Sequence, residues 1–434
     1  MTIQAVWQLY NTEIPLMLDK MIDDSIGAKT TIVNIIMSVD NILALVLLPL
    51  FGVISDKTHT RIGKRMPYIL AGTVAAAVFL ALIPVFYLID SFLGFFVVLG
   101  GLLIAMSVYR SPAVALMPDV TPKPLRSGAN AIINLMGAAG TIVVLVATVV
   151  VGKLTKGMAD STGDNKVFYI VIFLFCSVFI LGAIATMYFT VDENKLLSLM
   201  PPDEEETEEE RAHREGKGKH IHATVKTSLV FLLLAVAMWY MAYGCIETNF
   251  SRYAVNILGM DEASKAVPML VATVSALVCF VPLGILSGKL GRKNTVMLGL
   301  GVLTLAALIA CFATNIVILY ILFALIGISW AAINVNSYPM VVEMAKGADI
   351  GKYTGYYYTF QMAAQIATPL LSGVFIDIFN GIWGKNEGMN ILFPYAVIFL
   401  VLAAIAMLFV KHGDSKDSDI KKEDVAPLES DDIN

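Results

Sequence analysis

The sequence predicts an all-α polytopic membrane protein, with twelve transmembrane helices in two pseudo-symmetric six-helix bundles. Three observations predict it. Of the 434 residues, 57% are apolar and 15% charged, where an ordinary soluble protein carries about 25% charged residues. Apolar runs of spanning length recur along the chain, and Lys and Arg gather on one side of them. A spanning helix needs about 20 apolar residues, so twelve use roughly 240 and leave enough chain for short loops, one linker and a tail. This composition excludes a cytosolic globular enzyme.

The first half reads as spans at residues 2–18, 32–54, 68–88, 92–117, 129–151 and 167–189. The second reads as spans at 229–254, 266–286, 296–312, 316–342, 356–378 and 391–410. Each is bounded by Gly, Pro or charge. Runs of this length without strict alternation are helices and not barrel strands, because lipid offers unpaired backbone no partner. The first run barely crosses about 30 Å of hydrocarbon at 1.5 Å per residue, so part of the native start is expected to be missing, with no change of topology. No cleavable signal is visible before it, since the sequence shows neither a charged segment nor a small-residue cleavage site there, and insertion is expected to rely on the spans themselves.

Lys and Arg set the orientation, because cytoplasmic loops collect positive charge. With both termini cytoplasmic, 21 of the 30 fall in cytoplasmic segments and seven in outer loops, while Arg110 and Arg252 lie inside or at the end of spans. The expected organisation is an N-terminal bundle at 1–190, a cytoplasmic acidic linker at 191–226, a C-terminal bundle at 227–411 and a disordered cytoplasmic tail at 412–434, in the plasma membrane. The net charge of −5 reflects soluble stretches such as DEEETEEE at 203–210. No basic patch supports nucleic-acid binding. The four cysteines lie in apolar runs without C-x-x-C spacing and read as reduced packing residues.

The chain repeats itself. Trp7 and Trp239, Gly52 and Gly284, Ser55 and Ser287, and Lys57 and Lys289 are each 232 residues apart. A looser match pairs Pro118-Asp119 with the segment from Pro339 to Glu343. The matched residues include polar loop groups, which hydrophobic composition alone does not generate. Two parallel six-helix halves are the architecture of carriers whose site lies at the halves' interface.

The segment from Gly52 to Leu70, GVISDKTHTRIGKRMPYIL, carries the pattern G-x-x-S-D-x-x-x-x-R-x-G-R/K-R-x-P through Gly52, Ser55, Asp56, Arg61, Gly63, Lys64, Arg65 and Pro67. It resembles the loop between helices two and three of the major facilitator superfamily, in its sugar:cation symporter branch of glycoside-pentoside-hexuronide and sucrose-transporter-like carriers. The segment from Tyr109 to Gly140, with R-x-x-x-x-L-x-x-D and R-x-x-A-N-A cores, is similar to the fourth-to-fifth-helix region of sucrose-type carriers. The resemblance implies the major facilitator fold and secondary active transport. One departure bears on the coupling ion. The melibiose-type sodium site uses D-x-x-x-D-P in helix two, where this chain has Ala44 and then Leu48 before Pro49, and Asp40 stands one turn too early. A proton is therefore favoured over sodium as the coupling ion, with no cofactor expected.

Physical reasoning assigns the loop a gating role. Arg61, Lys64 and Arg65 can face Asp56, Asp119 and helix C-terminal carbonyls, whose partial negative charge attracts cations. Such contacts, made in one state and broken in the other, bias a rocking equilibrium.

A charge at mid-bilayer costs about 2.5–3.5 kcal/mol on insertion scales, so intramembrane Glu13, Asp40, Arg110 and Glu247 stand out. Arg252 is near enough to a helix end to snorkel. Asp40 and Arg110 are the candidate cation-coupling residues, either as a state-dependent ion pair in which Asp40 exchanges a proton or as a permanent buried pair. Glu247 shares an approximate stripe with Trp239 and Tyr243, and either binds sugar hydroxyls or the proton, or caps a packing contact. Trp7 and Asn11, Trp330 and Asn334, and Tyr357 with Gln361 repeat an aromatic-plus-amide spacing, and Asn134 adds an amide on the fifth span. Amides and carboxylates take sugar hydroxyls while aromatic faces stack on C–H surface, so these residues other than Trp239, nine in all, are the candidate substrate contacts.

No zinc motif, Walker loop or nucleophile elbow is present, and the five histidines are isolated or in the linker, so neither an enzyme nor a metal site is expected. The expected function is proton-coupled symport of a glycoside or small sugar by a monomer in a lipid bilayer. The alternative is a proton-coupled exporter of a drug or metabolite, with the same helices around a more apolar cavity.

Overall fold

The structure is a computed structural model that describes residues 1–23, 25–121, 126–158, 164–198, 223–313, 315–344, 350–384 and 387–413. Most of the acidic linker and the tail beyond residue 413 lie outside the described residues. The helices are α1 (Thr2–Met21), α2 (Lys29–Asp56), α3 (Met66–Leu88), α4 (Phe92–Asp119), α5 (Arg126–Leu154) and α6 (Lys166–Thr190). The short α7 (Glu193–Ser198) opens the linker. The second set is α8 (Ala223–Asn256), α9 (Val267–Leu290), α10 (Arg292–Ala310), α11 (Ile316–Glu343), α12 (Ile350–Trp383) and α13 (Leu392–Leu408), the last preceded by a 3-10 turn (Glu387–Ile391).

The twelve expected spans correspond to the twelve long helices, several of which run past the apolar cores. Among the described residues, eleven segments are long and apolar enough to cross a membrane. The exception is α1, whose 20 residues reach about 30 Å. It packs against α2, α5, α6 and α8, and residues 12–18 are all buried. A helix shielded from lipid carries Gln8, Thr12 and Glu13 without exposing them to hydrocarbon.

The internal repeat appears in the packing. In the first half α3 packs on α4 and α6, and α2 on α4; in the second half α10 packs on α11 and α13, and α9 on α11. The repeat extends to single bonds: Ser55 Oγ donates to the Gly52 carbonyl at 2.8 Å and Ser287 Oγ to the Gly284 carbonyl at 2.7 Å. Helix contacts are close where small residues permit it. A Cβ on Gly72 of α3 would lie 2.8 Å from Tyr109 of α4, and one on Gly299 of α10 would lie 3.1 Å from Ala332 of α11.

The halves meet through α2 with α12, α5 with α9, and α1 with α8. We call the side that carries the Lys57–Arg65 connection the basic face. Among the described residues, the bonds between the halves concentrate towards the opposite face. There the Asp377 carboxylate accepts from the backbone N–H of Thr30 at 3.1 Å and Thr31 at 2.6 Å, at the start of α2. Asn34 Nδ2 donates to Asn249 Oδ1 and Ser372 Oγ, at 3.2 and 3.3 Å, and Arg252 Nη2 donates to Asn34 Oδ1 at 2.7 Å. Lys265 reaches Glu13 at 2.7 Å. Arg252 does not snorkel: it is wholly buried, because its bonds to Asn34 and Asn249 hold it between the halves. Towards the basic face each half is bracketed to itself, by Arg65 with Asp119 at 2.9 Å in the first and Arg292 with Glu343 at 2.6 Å in the second.

Candidate functional site

Mid-depth between the halves, α1, α2 and α4 face α8, α11 and α12. Trp7 of α1 meets Tyr10 edge-on, ring centroids 5.4 Å apart, and the Arg110 guanidinium of α4 lies 5.5 Å from the Trp7 ring. The Trp7 indole N–H is buried without a partner. One turn on, Asn11 Nδ2 donates to Glu247 Oε1 of α8 at 3.4 Å, joining the halves at the level of the candidate residues. Asp40 of α2 accepts from Asn41 Nδ2 at 2.9 Å. Asp40 and Arg110 form no ion pair in this structure, where Arg110 is turned to Trp7 instead.

The second half supplies an aromatic wall. Tyr243 stacks on Trp330 with centroids 3.9 Å apart and planes 7° apart, and Tyr240 meets Trp330 edge-on at 5.2 Å. Tyr240 Oη donates to Asn334 Oδ1 at 3.1 Å, and Asn334 Nδ2 donates to the Trp330 carbonyl at 3.0 Å. Tyr357 is buried, its hydroxyl sharing a hydrogen bond with Ser337 Oγ at 3.0 Å; Gln361, one turn along α12, is half-buried. Asn134 lies on α5, but its side chain is outside the described residues. The structure therefore links Asn11 with Glu247 and Tyr243 with Trp330, and through Tyr240 with Asn334, over about two helical turns, while Tyr357 bonds to Ser337.

Trp239 does not belong to the Glu247 stripe. Two four-residue steps on a 3.6-residue helix turn a side chain by about 80°, which carries Trp239 into the core of the second half, where it is fully buried. Tyr240, on the Tyr243 side, takes its place and was missed because Tyr243 and Glu247 alone define the spacing of four.

The loop motif forms a compact network at the basic face. Arg65 is 5% exposed, so its donors need protein partners. Its Nε donates to Asp119 Oδ2 at 2.9 Å, its Nη1 to the Gly52 carbonyl at 3.2 Å and Ser55 Oγ at 2.5 Å, and its Nη2 to Asp56. Lys64 pairs with the same Asp119 at 3.0 Å. Arg61 is exposed and contributes its backbone carbonyl, which accepts from Asn194 at 2.8 Å.

Glu193 of α7 was not anticipated. Its carboxylate, fully buried, accepts from the backbone N–H of Lys64 at 2.9 Å, Arg65 at 3.0 Å and Met66 at 2.9 Å. These are orphan donors at the start of α3, where negative charge is also favoured by the helix dipole. Gly63, at φ +114°, gives the carboxylate its space: a Cβ there would overlap Glu193. A capping acid 127 residues from the start of its helix leaves no local signal.

Among the described residues no three His, Cys, Asp or Glu side chains gather as a metal site, and the four cysteines are unpaired.

A profile of the family described as MFS/sugar transport protein matches residues 3–352. No curated protein matches the sequence. Among solved structures, a D-xylose-proton symporter is similar with a TM-score of 0.68 at 14% identity, over 95% of this chain and 97% of that one. A bacterial homologue of the iron transporter ferroportin, in an inward-facing state, gives 0.67 at 11% identity over 95% and 96% of the two chains. The xylose transporter XylE from E. coli, in an inward open conformation, gives 0.64 at 15% identity over 95% of each chain. At these identities the similarity is one of fold. With its apolar helices, its doubled six-helix architecture and a family match over most of its length, the chain is an integral membrane protein of the major facilitator superfamily, in the MFS/sugar transport protein family.

Proposed function

We propose that the protein imports a glycoside or related small sugar together with protons, by alternating access across a plasma membrane. The observation that carries the proposal is the cluster at the halves' interface. Amide, carboxylate and aromatic groups from both halves gather there within about two helical turns, and among the described residues the bonds between the halves collect away from the basic face. The Lys and Arg distribution puts the basic face in the cytoplasm, so the bonded side is the outer one. Asn11, Glu247 and Asn334 take sugar hydroxyls, and Trp7 and Trp330 offer ring faces to its C–H surface. Sugar entering between Asn11 and Glu247 replaces their mutual bond, so the empty site keeps both groups satisfied.

Asp40 takes the proton in a state where Arg110 is not paired with it; here Arg110 lies 5.5 Å from the Trp7 ring. Return of Arg110 to Asp40 stabilises the carboxylate and expels the proton, since an opposite charge nearby favours the ionised form. Sugar and proton both favour the turning state, which is how one gradient drives the other. The test is a panel of radiolabelled sugars offered to proteoliposomes under an imposed pH gradient. One or more sugars accumulate, and Asp40→Asn abolishes accumulation while retaining downhill exchange. Absence of gradient-driven accumulation of every sugar overturns the reading in favour of export.

A further inference from the structure

At the opposite face, the turn between α8 and α9 sends one side chain into the first half. Lys265 is completely buried, as is Glu13 of α1, and Lys265 Nζ donates to Glu13 Oε2 at 2.7 Å. Glu262 on the same turn also accepts from Lys265. The socket wall is aromatic: the Phe168 and Tyr169 rings of α6 lie 5.0 and 5.9 Å from the ammonium. Gly152 of α5 completes the seat, since a Cβ there would come within 2.6 Å of the Ala263 nitrogen. The other Glu13 oxygen, Oε1, is buried without a partner.

Alternating access requires the halves to part at this face, and parting withdraws Lys265 from its socket. A buried ion pair that loses one member leaves an uncompensated buried charge, which is strongly destabilising. Protonation removes the charge that causes the cost. Ammonium and proton are thus alternative occupants of one carboxylate.

We propose that Glu13 is a second proton-binding site of the carrier, with Lys265 as its built-in competitor: Lys265 holds the opposite face shut, and a proton bound to Glu13 releases it. The proton comes from water on that side and forms an O–H bond on the Glu13 carboxylate. Lys265 keeps its own proton and its bond to Glu262, and the Glu13 proton returns to water when Lys265 docks again. The inference rests on the alternating-access reading.

The other charges around the socket do not supply a substitute switch. Lys20, at the end of α1, pairs with Asp164 at 2.5 Å, and Asp164 accepts from Tyr87 at 2.6 Å. Lys20 also lies 5.4 Å from the Tyr169 ring. Lys156 of the α5–α6 connection is 3.8 Å from Asp261. The Ser264 side chain foremost, helped by its backbone N–H, holds the Asp261 carboxyl below the usual carboxylate range, so it stays charged. Glu262 keeps Lys265 in both states. Lys265 thus faces two carboxylates, and a proton on Glu13 relieves the excess negative charge.

The test reads distance without any sugar. Spin labels at Ser25→Cys and Glu387→Cys, exposed positions on the opposite face of the two halves, are placed in a Cys279→Ser, Cys311→Ser background in lipid nanodiscs. Acidification from about pH 7.5 to about pH 5.5 widens the distance, with the open-to-closed ratio changing by up to about tenfold per pH unit, the limit for one proton. Glu13→Gln is wide at both pH values, and so is the double variant Glu13→Gln, Lys265→Met, which removes both buried charges and guards against misfolding. A wild-type distance indifferent to pH, a wild-type-sized response in Glu13→Gln, or a narrow distribution in both Glu13 variants overturns the proposal. Failure of every sugar to accumulate, with the pH response intact, sinks the sugar reading and leaves this site standing.

Discussion

Arg65 shows why a guanidinium occupies its position. Four acceptors on α2 and α4 surround one planar fork: two carboxylates, a hydroxyl and a carbonyl. A lysine presents a single ammonium and cannot span them. Charge-assisted hydrogen bonds contribute about 1.5–3 kcal/mol each, so Arg65→Lys is expected to lower the midpoint of thermal unfolding in detergent by several degrees. Lys64→Ala serves as the contrast. Its pair with Asp119 is about a quarter exposed on each side, which places it near the surface value of about 0–1 kcal/mol, and its midpoint is expected within a degree or two of wild type. Equal losses in the two variants would assign the stabilisation to charge alone. The Arg65 partners Asp56 and Asp119 were legible from sequence because the motif places acids at both helix ends. Lys265 was not, since a lysine in a connection reads as solvated and nothing local reports a socket in the other half.

At the scale of elements, α7 acts as a clasp on α3. Glu193 satisfies three N–H groups at the start of that helix, and Gly63 makes room for it. Loss of a capping side chain costs about 0.5–2 kcal/mol. Glu193→Ala is therefore expected to lower the thermal midpoint, and Gly63→Ala to do the same by expelling the carboxylate and straining a positive φ. The two act through one contact, so the double variant is expected to lose little more than the worse single one. Full additivity in the unfolding experiment would show that Glu193 does not cap α3. The helices themselves were readable from apolar runs, and the ends were not. Thus α8 begins six residues before its apolar core and α12 extends beyond both ends of its own, because a helix continues into polar sequence wherever its side chains reach water or headgroups. The buried polarity of α1 has the opposite origin, its place at the centre of the bundle.

For the whole molecule, the repeat read at 232 residues foretold two equivalent packings, and the structure carries it down to the Ser–Gly bond in each half. Which residues of the two halves touch lay beyond it, because an internal repeat describes each half and not their contact. Gly152 against Ala263 is such a contact, and it yields a test of rocking. Gly152→Leu is expected to wedge the opposite face apart, so that Ser372→Cys, buried between the halves in this structure, becomes reactive to a membrane-impermeant maleimide added on that side. Unchanged protection would mean that α5 and the α8–α9 turn do not close together. The uneven stitching of the two faces also has a kinetic consequence. A carrier fastened along one rim lingers, when empty, with that rim sealed, and the slow leg of its cycle is the unladen return. Solute already waiting in the destination compartment rides back and shortens that leg, so labelled-for-unlabelled swapping should outrun one-way filling.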